Sequence, residues 1–154
     1  MKKLKGILSV FIVMIMALSV QVPVFADEAG ELTTIIAPRI TFSNFSVDKA
    51  NIKPGDIFTL TATVYNSRSQ TVDDASFKFS GGDAFSVYKG SDTEYVSSFS
   101  SYVTVSKTFI CNNDTAGGSH PISVTCNYSY SGGEGSAEAN YSVMTTSNST
   151  VNGN

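Results

Sequence analysis

The chain is 154 residues long, with ten basic and thirteen acidic side chains, one histidine, two cysteines and no tryptophan. The acidic balance excludes the basic face a nucleic-acid binder needs to neutralise phosphate. One His and two Cys fall one short of the usual four zinc ligands.

The first 26 residues read as a secretion signal. Met1–Lys5 is basic through Lys2, Lys3 and Lys5, Gly6–Val20 is almost wholly apolar, and Pro23 precedes Val24-Phe25-Ala26, whose slender −3 and −1 residues suit signal peptidase. The apolar run is short for a bilayer, which takes about 20 helical residues. Cleavage is expected after Ala26, leaving 128 residues. Losing three of the ten basic residues and none of the thirteen acids brings the net charge to about −6. No Cys follows the cleavage site to take a lipid, and no later stretch is apolar enough to span a membrane. The expected location is secreted and extracellular, with cell-surface association open, and the source is expected to be bacterial.

Residues 27–38 read as a flexible leader, 39–144 as one domain and 145–154 as a polar linker or tail. Within the domain the apolar residues alternate, and no stretch holds a helical period. Ile40–Asp48 is the first predicted strand; Phe42 and Phe45 are out of phase, which a bulge near Ser43-Asn44 reconciles. Lys49–Asp56 is a turn, with Pro54 and Gly55 at the central positions of a type II geometry. Ile57–Asn66 is the cleanest strand: Phe58, Leu60, Ala62 and Val64 face one way, and Thr59, Thr61, Thr63 and Tyr65 the other. Short strands follow at Ala75–Gly81, around Phe85–Tyr88 and near Glu94–Val96.

Ser101–Cys111 alternates again, with Val103, Val105, Phe109 and Cys111 in phase. His120–Tyr130 puts Ile122, Val124, Cys126, Tyr128 and Tyr130 in phase. Ser131–Gly135 reads as a glycine-rich hairpin turn, and Ser136–Met144 closes the set with Ala137, Ala139, Tyr141 and Val143 inward. Seven to eight short strands with regular turn signals predict an all-β antiparallel sandwich.

Residues 40–74 and 90–130 carry a further pattern: a Gly-Asp turn, an alternating strand closing in Asn, and a later alternating strand running from Gly to Tyr. In this form the chain resembles the CARDB-like (cell-adhesion-related) and S-layer-type immunoglobulin-like domains of bacterial secreted and cell-surface proteins, over roughly Pro38–Met144. The resemblance implies an immunoglobulin-like sandwich with structural turn and cap roles for Gly55, Asp56, Asn66, Gly118 and Tyr128. His120, where the pattern has an aromatic, and Cys126, where it has Val, depart from it. Such folds carry many different ligands, so the resemblance names none.

No catalytic constellation assembles. His120 precedes Pro121 with no nucleophile motif near it, and none of the serines stands in Gly-x-Ser-x-Gly. Cys111 and Cys126 suit either a candidate disulfide, with an offset along their strands against it, or two buried thiols. Asp73, Asp74, Asp83, Asp92 and Glu94 lack EF-hand spacing and read as a solvated surface. Tyr65, Tyr88, Tyr95 and Tyr102 read mainly as core or rim packing, with sugar stacking as the other use. The expectation is a non-enzymatic extracellular module of adhesion or assembly type, without cofactor or metal, that binds a protein or a cell-surface polymer. An accessory carbohydrate-binding module is the alternative, distinguished by exposed aromatics on one sheet face.

Overall fold

The computed structural model of the protein describes residues 34–148. The signal sequence expected at residues 1–26, most of the expected leader and the last six residues lie outside the described residues. The chain divides into units Met1–Thr34 and Ile35–Asn154, and the architecture below belongs to the second.

Eight strands build it: β1 Ile40–Val47, β2 Ile57–Asn66, β3 Asp74–Ser80, β4 Phe85–Val87, β5 Thr93–Val96, β6 Tyr102–Cys111, β7 Gly118–Tyr130 and β8 Gly133–Thr145. They form two four-stranded antiparallel sheets, ordered β1-β2-β6-β4 and β5-β3-β7-β8. The protein is an immunoglobulin-like antiparallel β-sandwich; the alternation predicted the sandwich, and the resemblance implied its immunoglobulin-like form.

The alternation is realised as a shared core. Phe58, Leu60, Ala62 and Val64 of β2 and Val105 and Phe109 of β6 face Phe77 and Phe79 of β3 and Ile122 and Val124 of β7, all buried. Phe109 lies at the centre of an aromatic cluster, stacked on Phe58 at 5.8 Å between ring centroids and edge-on to Phe79 at 6.4 Å. Lys107 shares this inward phase and resolves it by laying its ammonium over the Phe79 ring, 5.7 Å from the centroid.

The local signals have their structural counterparts. The β1–β2 register shifts between Ser43 and Ser46, with Asn44 at φ 49°. This bulge turns both phenylalanines of β1 toward the other sheet: Phe42 meets Phe77 edge-on, and Phe45 stacks on Tyr141 of β8 at 5.2 Å. Gly55 adopts φ 87°, and the Asp56 N–H donates to the Lys53 carbonyl at 2.9 Å, closing the turn around Pro54 and Gly55.

Two stretches differ from expectation. The β7–β8 hairpin turns on Ser131-Gly132 alone, and Gly133–Gly135 belongs to β8. Gly135 is a strand glycine because the Tyr128 ring occupies the place where a side chain would stand. At the domain margins, Pro38 is buried and β8 runs through the buried Thr145, which bridges to Ile52. The ordered domain thus reaches slightly beyond 39–144 at both ends.

Candidate functional site

The turn and cap residues sit at the two ends of the sandwich. At one end the Gly55 N–H donates to the Cys111 carbonyl at 2.8 Å, and the Cys111 N–H donates to Asp56 O at 2.8 Å. The Asp56 carboxylate accepts the Lys53 N–H at 2.9 Å and pairs with the Lys49 ammonium at 3.2 Å. The Lys53 bond first, and then the Lys49 contact, hold the Asp56 carboxyl below its usual range. Gly118 opens β7 at φ 132°, and its carbonyl accepts the Thr145 hydroxyl at 3.2 Å.

At the other end Asn66 closes β2. Its side-chain oxygen accepts the Arg39 and Arg68 amides at 3.3 and 3.1 Å, and its amide donates to the Gln70 carbonyl at 2.6 Å. The half-buried Tyr128 donates its hydroxyl to the Pro38 carbonyl at 3.3 Å. Burial first, then the neighbouring Cys126 and Tyr130, raise the pKa of its phenol.

The candidate disulfide is corrected by the fold: Cys111 and Cys126 are free, buried thiols. Cys111 lies in the first sheet, at the end where β7 begins, and Cys126 in the second. From Gly118 to Cys126 is eight residues of extended chain, about 26 Å at the rise of a strand. A disulfide tolerates a Cα separation of only about 7 Å. Burial pushes the Cys126 thiol up to about 12 and raises Cys111 as well. Both thiols are therefore expected to be unreactive in the native protein. Both should be alkylated once the unreduced chain is unfolded in urea. Mass spectrometry showing two unmodified cysteines under those conditions would contradict the free-thiol state.

At the start of β7, His120 packs against an aromatic ring. Its ring meets Phe85 edge-on at 6.0 Å between centroids, and Nε2–H donates to the Ala116 carbonyl at 2.7 Å. Asp73, Asp74, Asp83, Asp92 and Glu94 are dispersed. Glu94 works at a sheet edge, accepting the Ser106 N–H of β6 at 3.0 Å. Among the described residues no three His, Cys, Asp or Glu side chains gather as a metal site.

Tyr88 is half-buried, as the core-or-rim expectation has it, whereas Tyr65, Tyr95 and Tyr102 depart from it. Tyr65 and Tyr102 are register partners on the outer face of the first sheet, 6.0 Å apart and exposed. Tyr95 stands on the outer face of the second sheet and is 78% exposed. Strand phase is the reason. Each occupies the position between inward residues, where burial is not available.

Around Tyr95 the outer face of the second sheet forms an open groove of about 1030 Å³. Two cross-strand rows make it. The register aligns Tyr95 of β5 with Ser76 of β3, Asn127 of β7 and Ser136 of β8; the adjacent row holds Asp74, Ser129 and Glu134. Small side chains on the two central strands form a floor between β5 on one side and β8 on the other. At about 4.8 Å per strand, the first row spans about 14 Å, and the rows lie about 6.7 Å apart. The outward side chains of the lining offer hydroxyls, one amide, two exposed carboxylates and the Tyr95 ring, with no Lys or Arg; Ala75, Val96 and Tyr128 also border it while packing against the core. Just beyond the Tyr95 row, Lys78 and Glu138 flank Thr125 with opposite charges. In the sequence Tyr95 and Asp74 stand out only separately, and Asn127 only as one of five Asn-x-Ser/Thr triplets of the kind a chain rich in Asn, Ser and Thr holds by chance; Ser76, Ser129, Glu134 and Ser136 carry no signal beyond their outward strand phase.

The chain matches no protein-family model and no curated protein. Among solved structures it is similar to the cupredoxin domain of amoB from Nitrosocaldus yellowstonii, at 8% identity and a TM-score of 0.44, over 70% of this chain and 86% of that one. The GAE domain of GGA2p from Saccharomyces cerevisiae gives 10% identity and a TM-score of 0.44, over 70% and 97%. The sporulation control protein Spo0M from Bacillus subtilis gives 17% identity and a TM-score of 0.35, over 73% of this chain and 50% of that one.

Proposed function

We propose that the protein is a non-catalytic extracellular binding module whose ligand surface is the groove on the second sheet, taking a protein segment or polymer presented at a cell surface. The groove carries this reading. It is broad, open and lined by exposed polar groups around one exposed ring, which suits an extended partner better than an enclosed small molecule. The signal-like residues 1–26 and the resemblance to CARDB-like and S-layer-type domains support an extracellular, surface-associated setting.

Two features weigh against catalysis. His120 hydrogen-bonds a backbone carbonyl and packs on Phe85, on the side of the sheet away from the groove. Asp74 and Glu134 do share the groove, but both are exposed, and an open trough leaves solvent at any reacting bond.

The test is retention of the folded domain on isolated bacterial cell envelopes and on immobilised secreted protein. Asn127→Arg, which lays a long cationic side chain across the groove floor, is expected to abolish retention while leaving circular dichroism and urea midpoint unchanged. Equal retention of wild type and variant would remove the groove from the reading. Turnover of glycosidase, esterase or protease substrates, lost in Asp74→Asn or His120→Ala, would replace it with an enzymatic one.

A further inference from the structure

The chemistry of the groove points to one class of ligand. Resting on the binding-module reading above, we infer that the groove takes an uncharged glycan chain lying across the strands, with Tyr95 as its stacking platform.

Three observations converge. Ala75, Val96 and Tyr128 border the groove but pack against the core, which leaves Tyr95 as the one exposed apolar side chain in the lining. A protein partner is usually gripped by several aromatic or aliphatic side chains in desolvated pockets. Its polar groups are the kinds that pair with sugar hydroxyls: Asn127 both donates and accepts, Asp74 and Glu134 accept, and Ser76 and Ser136 do either. The one ring stands at an end of the floor row, 78% exposed, with its face free for the C–H-rich face of a pyranose.

Charge narrows the class. With Asp74 and Glu134 in the lining and no base there, a polyanion such as a teichoic acid or a uronic-acid polymer meets repulsion and no counter-charge. A neutral chain meets neither cost. The dimensions agree: a floor of about 14 Å across four strands accommodates roughly three sugar rings end to end.

The experiment is affinity electrophoresis of the intact domain through gels containing a soluble neutral polysaccharide (a β-glucan, a galactomannan or a xylan), with polygalacturonate as the anionic control. At least one neutral polymer is expected to retard the wild-type domain, and polygalacturonate is not. Tyr95→Ala is expected to weaken the affinity by about tenfold or more, and Tyr95→Phe by less than about threefold, because stacking needs the ring and not the hydroxyl. Asn127→Ala should weaken it too. Preference for the anionic polymer, or retardation indifferent to Tyr95→Ala and Asn127→Ala, overturns the inference. If no neutral polymer retards the domain while Asn127→Arg still abolishes retention on envelopes or secreted protein, the glycan assignment fails and the binding-module reading stands. If neither assay depends on the groove, both fail.

Discussion

Phe109→Ala is expected to destabilise the domain by about 3–5 kcal/mol, a large share of the roughly 5–15 kcal/mol that holds a typical domain folded. Phe109 is wholly buried and touches both halves of the core, stacking on Phe58 within its own sheet and meeting Phe79 across the sandwich. Truncation removes the transfer free energy of the ring and leaves a void that rigid strands on both sides cannot close. Thr61→Ala, at the outward phase of the neighbouring strand β2, is expected to cost less than about 1 kcal/mol. Urea titrations of the two variants measure the contrast. Similar midpoints would mean that the strand phase is wrong.

Alkaline destabilisation is the second large expected effect. The Cys126 thiol is neutral when protonated, and burial raises its folded pKa from 9.0 to about 12. A raised folded pKa means that the contribution is fully present below pH 9 and is lost as pH rises from there through about 12. In that window the unfolded chain releases the proton and the folded chain keeps it. The slope from this one group is roughly 1.4 kcal/mol per pH unit. Tyr128 and Cys111, also raised, act in the same direction. Stability measured by urea unfolding in reductant is therefore expected to fall steeply between pH 9 and pH 11. Cys126→Ala should start lower, because of its cavity, and fall less steeply. Parallel pH profiles for wild type and variant would show that Cys126 is not the titrating group.

The local layer of this fold was legible because strands write their burial into the sequence with a period of two. Phe58, Leu60, Ala62 and Val64 alternate with threonines in β2, and the structure buries the first set. The phase break between Phe42 and Phe45 marked the bulge, and Pro54-Gly55 marked the turn, since each depends on the backbone of two or three adjacent residues. Gly133–Gly135 was misread as turn because a glycine run looks alike whether it bends the chain or makes room. The Tyr128 ring that needs the space at Gly135 belongs to the neighbouring strand.

Sequence alone determined that this chain forms antiparallel strands around one apolar core, which residues of β2 face it, and where the chain turns around Pro54 and Gly55. The tertiary structure decided what those strands lie beside. Cys111 and Cys126 share an apolar phase, yet only the assignment of β6 and β7 to opposite sheets, with Cys126 far along its strand, keeps them apart. Likewise, Tyr95, Ser76, Asn127 and Ser136 come from four separate strands, and become one row only when β5, β3, β7 and β8 assemble in that order. Alternation specifies the face on which a side chain emerges. It leaves neighbour order and register open, because those are settled by long-range pairing and by how the two inner faces interlock.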